Sequence, residues 1–175
     1  MGWLSETERG TLTAIVDRLI PPGADAASEP GAAHVGVVDY IDALLDAFSV
    51  VPPRIFAGGP SSGRFGGEAA YEPFLPLTRV QEIAWRERIS GWQRIYRDGL
   101  AALGPDFLTL APDQQEARFA AEQDLAALVY EHTCEGYYAA PEYGGNRELA
   151  GWRLANWSGD VAPRGWTAEE VTSPQ

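Results

Sequence analysis

The stretch "TRVQEIAWRERISGWQRIYRDGLAALGP", residues 78–105, decides the fold class. Thr78 followed three positions later by Gln81 is a capping box, in which each residue satisfies a backbone N–H that the other leaves open. Behind it Trp85, Ile89, Trp92, Tyr96 and Leu103 recur at helical spacing. A second apolar stripe holds Val80, Ala84, Gly91 and Ile95. Apolar residues on two sides predict burial on two sides, so this longest helix is expected at the centre of the molecule. Gly104 and Pro105 stop it after about Leu103.

The same signals recur on either side. Toward the N-terminus, Ser5 with Glu8 is a second capping box, and Leu12, Ile15, Val16, Leu19 and Ile20 follow at spacings of three and four. "PPG" at residues 21–23 ends that helix. Another runs from about Val37, with Tyr40, Ile41, Leu44, Leu45 and Phe48 on one face, until Pro52 and Pro53. Toward the C-terminus, a helix begins near Pro112 with Phe119 facing inward. A further one carries Leu125, Leu128, Val129 and His132 and is expected to close at Gly136 as a C-cap. Asn146 offers an N-cap for a last short helix through Trp152.

Strand signals are weak and no fixed-period repeat occurs. The expected architecture is all-α, an irregular helical bundle with long aromatic- and Gly-rich loops. Residues 1–162 read as one helical domain and residues 163–175 as a polar tail whose exception is Trp166. Residues 54–76, "RIFAGGPSSGRFGGEAAYEPFLP", thread Phe56, Phe65, Tyr71, Phe74 and Leu75 through a glycine-rich segment. A flexible linker does not carry such rings, so an ordered loop pinned by its aromatics is expected.

Composition removes several function classes. The 175 residues suit one domain with a real core, and the formal net charge is −12. Nucleic acid and anionic membranes both select Lys and Arg clusters, so neither is an expected partner. No apolar run approaches the roughly 20 residues of a membrane-spanning helix. Cys134 stands alone and forms no intramolecular disulfide. "MGWLSETERG" has no basic region followed by an apolar run, so a cytoplasmic location is the expectation for the chain as written.

A search for chemistry finds little. Glu131, His132, Cys134 and Glu135 cluster in sequence, but a zinc site needs about four N or S ligands and the chain has one Cys and two His. A di-metal carboxylate bundle needs paired Glu-x-x-His elements, which are absent. On a helix His132 and Cys134 diverge, so a buried structural His and a small buried thiol are the simpler reading. No G-x-S-x-G elbow occurs, and no Gly-Gly pair extends to G-x-G-x-x-G or G-K-[ST]. A cofactor held by this chain alone is therefore not expected. Glu82 with Arg86 and Arg94 with Asp98 read as solvated helix pairs. What remains is "CEGYYAAPEYGGNRELAGWRLANWSGD", residues 134–160. Large rings with a polar handle anchor interfaces, and glycines admit a partner's backbone. The Trp residues stay open between core and interface, whereas residues 137–143 read as interface.

Five segments together resemble the gluconate 2-dehydrogenase subunit 3 family. They are "LSETERGTLTAIVDRLIPP" (4–22), "GVVDYIDALL" (36–45), "AGGP" (57–60), "LPLTRVQEIAWRERI" (75–89) and "EGYYAAPEYGGNRELAGWRL" (135–154). The early helices are generic, while the last block is specific. The resemblance implies an accessory subunit of an FAD-dependent sugar, sugar-acid or glycoside dehydrogenase. Catalysis would belong to a large subunit similar to glucose–methanol–choline oxidoreductases, which binds FAD, and some complexes of the family add a multihaem cytochrome c subunit. Family members often carry a twin-arginine export signal. This chain departs from that pattern, and a periplasmic location would follow if such a signal had been trimmed. The family brings no catalytic motif. The expected contact with the large subunit comprises Tyr137, Tyr138, Pro141, Tyr143, Gly144, Gly145, Asn146 and Trp152, with Phe65, Tyr71 and Phe74 as a second contact. The competing expectation is a stand-alone helical protein that binds a small ligand or a metal through the cluster at residues 131–135.

Overall fold

A computed structural model describes residues 2–55, 57 and 76–157, and all structural statements refer to these. They form six α-helices and no strand, so the all-α class holds. The helices are α1 (Glu6–Leu19), α2 (Val37–Leu45), α3 (Arg79–Leu103), α4 (Pro112–Ala121), α5 (Gln123–Tyr138) and α6 (Ala150–Leu154). Much of the 54–76 loop, Phe65, Tyr71, Phe74 and Trp166 among it and beyond it, lies outside the described residues, as does the tail.

Both capping boxes form. Ser5 Oγ accepts from the Glu8 N–H at 3.3 Å while Glu8 accepts from the Ser5 N–H at 2.8 Å. Thr78 and Gln81 make the same exchange at the start of α3. Each box contributes on the order of 1 kcal/mol. Pro112 opens α4 at a position where a missing N–H costs nothing. A single residue, Glu122, joins α4 to α5.

The core is built from one face of each long helix. It gathers Leu12, Ile15 and Val16 of α1, Val37, Val38, Ile41 and Leu45 of α2, Tyr96, Leu100 and Leu103 of α3, and Leu125, Leu128, Val129 and Tyr137 of α5. Helix α5 is the hub, packing against α1, α2, α3, α4 and α6. The expectation that α3 is central is thereby corrected. Only Ile89, Tyr96, Gly99, Leu100 and Leu103 of α3 are buried, and at its N-terminal end Val80 is 77% exposed. The second stripe that pointed to two-sided burial contains Ala84 and Gly91, which are too small to demand it. A satellite cluster of Ala47, Ile55 and Ile89, with Phe48, Trp85 and Trp92 against it, packs beside that half of α3. Arg86 lies over the Phe48 ring at 4.3 Å and Arg88 over Trp85 at 4.7 Å, cation–π contacts of about 0.5–1 kcal/mol each.

A further correction concerns Gly136. It does not cap α5, which continues to Tyr138 and ends with the Ala139 N–H on the Glu135 carbonyl at 2.7 Å. Glycine is needed there for space, since a Cβ on Gly136 would sit 2.8 Å from the Tyr40 ring. The chain returning after α5 lies so close that a Cβ on Gly145 would sit 2.0 Å from the Gly136 carbonyl oxygen, and one on Gly151 2.0 Å from that of Tyr137. These contacts are with backbone, which cannot rotate away. We therefore expect Gly145→Ala or Gly151→Ala to destabilise the protein by about 3 kcal/mol or more, beyond ordinary overpacking. Gly91→Ala, whose Cβ would meet nothing nearer than Arg94 at 4.0 Å, should stabilise α3 by about 0.5–1 kcal/mol. Urea unfolding of the three variants checks both signs.

Candidate functional site

The last turn of α5 and the segment after it form one unit. Pro141 opens a 3-10 turn, Pro141–Tyr143, with the Tyr143 N–H on the Ala140 carbonyl at 3.0 Å. Gly144, at φ 101°, takes the left-handed conformation that ends it. Asn146 then fixes the segment. Its Nδ2 donates to the Ala139 carbonyl at 2.9 Å, and its Oδ1 accepts from the Gly151 N–H at 2.8 Å. One buried side chain thus ties the end of α5 to the start of α6. This corrects its expected role as a plain N-cap: α6 begins later, at Ala150, and Asn146 is itself left-handed at φ 47°. Asn tolerates that conformation better than other non-glycine residues.

The segment is anchored outward from there. The Arg147 N–H donates to the Val35 carbonyl at 3.0 Å, and its guanidinium pairs with Asp39 of α2. Asp39 also pairs with Arg9 of α1, which reaches Asp42 at 2.8 Å. Burial would raise the Asp39 pKa, but hydrogen bonds from Arg9 and Arg147 outweigh it and hold the carboxyl below its usual range. The Trp152 indole N–H donates to the Tyr138 carbonyl at 2.6 Å.

The expected contact residues separate into two layers. Tyr137, Gly145 and Asn146 are buried, and the Tyr137 hydroxyl donates to the Pro30 carbonyl at 2.8 Å. They support the turn from beneath and present no surface of their own in the isolated chain. The rings of Tyr137 and Tyr138 meet edge to face at 5.0 Å, but Tyr138 turns outward and is 43% exposed. Tyr143 is 37% exposed and Gly144 is also on the surface, while Pro141 and Trp152 are half-buried. Phe65, Tyr71 and Phe74 lie outside the described residues. The sequence reading missed Tyr130, which is 60% exposed on α5 two turns before Tyr138. Its signal was its position off the Leu125–Leu128–Val129–His132 stripe. Leu154 and Trp157 extend the exposed apolar surface past α6.

The cluster at residues 131–135 does not converge. His132 is fully buried, its ring 4.6 Å from Trp92 and stacked on Tyr96 at 5.8 Å, with Nδ1 3.1 Å from the Tyr96 hydroxyl. Its Nε2 and the Thr133 hydroxyl are buried without a hydrogen-bond partner, so the buried histidine is only half satisfied. Glu131 and Glu135 lie on the exposed face, and Cys134 is half-buried rather than buried. Among the described residues no group of three or more His, Cys, Asp or Glu side chains is placed to hold a metal ion. A cleft of about 680 Å³ between α3 and the α4–α5 junction has Arg94, Asp98, Glu122 and Asp124 on its wall and no Ser, Thr, Cys, Lys or His. No described helix is long and apolar enough to cross a membrane.

Glu135 accepts from the Tyr40 hydroxyl at 2.9 Å. Burial first, and then the charge of Glu131, raise the Glu135 pKa against that hydrogen bond. Burial and the Glu135 charge keep the Tyr40 hydroxyl protonated far above its ordinary range.

Comparison with known proteins gives one match. A family model described as gluconate 2-dehydrogenase subunit 3 matches residues 6–159. No curated protein matches the chain, and no solved structure does.

Two outcomes follow from this geometry. Asn146→Ala removes two hydrogen bonds and places Ala in a left-handed conformation, so a loss of about 3 kcal/mol is expected; Asn146→Gly keeps the conformation and should lose about 1 kcal/mol less. Denaturant midpoints separate the two. His132 is held neutral, since burial lowers its pKa from 6.5 to about 4. The unfolded chain therefore binds the proton first. Stability should be independent of this group above pH 6.5 and fall by up to about 3 kcal/mol as pH drops from 6.5 to 4. His132→Phe should flatten that window in melts recorded against pH, leaving the loss tied to Asp39 at lower pH.

Proposed function

The chain belongs to the gluconate 2-dehydrogenase subunit 3 family, and we propose that it is the non-catalytic small subunit of an FAD-dependent dehydrogenase acting on a sugar, sugar acid or glycoside. The observation that carries this reading is the exposed aromatic face built on an immobilised backbone. Tyr138 and Tyr143 stand on a turn fixed by Asn146, with Tyr130 and Trp157 on either side. Amphipathic rings with two rotatable side-chain bonds, held by a rigid frame, have the properties of interface anchors.

The mechanism is stabilisation. A subunit that binds only the folded flavoprotein shifts its folding equilibrium by mass action, by about 2.7 kcal/mol at a hundredfold excess over Kd. It would also cover apolar surface that promotes aggregation of the isolated partner. FAD and the chemistry at the CH–OH group would reside in the large subunit of the glucose–methanol–choline type, with electrons passing in some complexes to a cytochrome c subunit. The described residues of this chain supply contact area and no group to that reaction.

Co-expression with a candidate FAD-dependent large subunit of the glucose–methanol–choline type from the same genome tests the proposal. The two should elute as one complex, and the flavoprotein should be more soluble and more fully flavinated than when made alone. A flavoprotein equally soluble, flavinated and active without this chain would overturn it. The face is tested by Tyr138→Ala combined with Tyr143→Ala. Each anchor is expected to contribute more than about 1 kcal/mol, so the complex should weaken at least tenfold, while the variant alone keeps its helical spectrum.

A further inference from the structure

Residues 2–4 precede α1 and are seated on α2. Leu4 is buried in the core, and its backbone N–H donates to Asp42 Oδ1 at 2.8 Å. Trp3 packs against the core with the Arg97 guanidinium 5.2 Å over its ring. Gly2 is exposed, yet it lies so near α2 that a Cβ there would stand 1.9 Å from Asp42 Oδ2. The three residues form a strap that rests on one carboxylate.

That carboxylate begins a ladder. Asp42 Oδ2 accepts from Arg9 Nη1 at 2.8 Å. Arg9 Nη2 donates to Asp39 Oδ1, and Arg147 Nη2 donates to Asp39 Oδ2. The four carboxylate oxygens of Asp42 and Asp39 thus each have their own donor. Arg147 also anchors the segment that carries the exposed tyrosines, through its N–H on the Val35 carbonyl at 3.0 Å. One exposed ion pair fixes little. A planar guanidinium shared by two carboxylates fixes more, because it cannot turn toward one without leaving the other. Each group in the ladder is therefore positioned by both of its neighbours.

We propose that the strap at residues 2–4 controls the turn at residues 141–144, its setting of Asp42 being passed through Arg9, Asp39 and Arg147. With the strap lifted, Asp42 is free to rotate and Arg9 loses one of its two anchors. Asp39 then no longer holds Arg147 in one place, and the turn samples more positions. The consequence for binding rests on the accessory-subunit reading, since a looser turn must be ordered when Tyr138 and Tyr143 meet the flavoprotein. An event at the amino end of the chain, such as a contact or a modification that displaces residues 2–4, would in this way lower affinity at a surface it does not touch.

Hydrogen exchange of the free subunit tests the coupling. Gly2→Ala puts a methyl group against the Asp42 carboxylate from an exposed position outside the helices. The amides of Tyr143, Gly144 and Arg147 should then exchange about threefold faster, while those of α4 stay as they are. Asp42→Asn, which keeps the shape and removes the charge, should give the same pattern. In an Asp39→Asn background the ladder is already cut, so Gly2→Ala should add nothing at these amides. Unchanged exchange in both variants, equal acceleration in α4, or additive effects with Asp39→Asn would overturn the coupling. Affinity for a candidate FAD-dependent large subunit from the same genome should fall by about the same threefold. A complex whose affinity ignores both variants overturns the control of binding. Coupling seen in the free subunit without any complex sinks the accessory reading instead and leaves the coupling standing.

Discussion

The structure depends on backbone meeting backbone where the chain returns over the last turn of α5. Gly145 lies on the carbonyl of Gly136 and Gly151 on that of Tyr137, with no side chain between them. Asn146 closes the unit through hydrogen bonds to Ala139 and Gly151. The placement of every ring nearby follows. Tyr137 is enclosed and uses its hydroxyl on Pro30, Tyr138 is turned outward, and Trp152 can reach the Tyr138 carbonyl. Arg147 emerges where it can pair with Asp39 and so tie the segment to α2 and, through Arg9, to α1.

Charge is used in two ways on this frame. The Asp39–Arg9–Arg147 group is internally balanced, and its net effect is to lower the Asp39 pKa against burial. The Glu131–Glu135 pair is unbalanced, and burial together with mutual repulsion raises the Glu135 pKa. The first arrangement holds three helical segments together whether or not anything else is bound. His132 belongs to neither. Its imidazole fills space between Trp92 and Tyr96, and its unpartnered Nε2 carries a desolvation cost of about 1–3 kcal/mol that the surrounding packing offsets.

The sequence made the helices legible because their signals are local. Capping boxes at Ser5–Glu8 and Thr78–Gln81, and Pro112 at the start of α4, are satisfied within a few residues. The hub was not legible, because α5 shows a buried face no stronger in sequence than that of α3, and which helix is surrounded depends on long-range packing. The candidate site was half legible. Residues 137–146 stand out in sequence and fold as one unit, yet composition does not say which ring faces in. Tyr137 and Tyr138 are neighbours with opposite fates, decided by the 100° step between successive helical residues and by the glycines that bring the return segment onto one side. Gly136 read as a stop because open space and close approach select the same residue.

A surface that recruits a folded partner benefits from being rigid beforehand. Ordering an exposed loop of aromatic residues at the moment of association would cost about 0.5–1.5 kcal/mol for each immobilised side chain, besides the backbone. Here that cost is met during folding, by Asn146, by the Arg147 anchor and by two glycine contacts that leave the segment one position to occupy. The residues that define the family block are thus divided by task. Glycine and asparagine fix the backbone, and tyrosine presents the surface. On the accessory-subunit proposal, a substitution in the first group would weaken the complex through the fold and one in the second directly, so the two kinds of loss would differ in whether the free subunit's stability changes with the affinity.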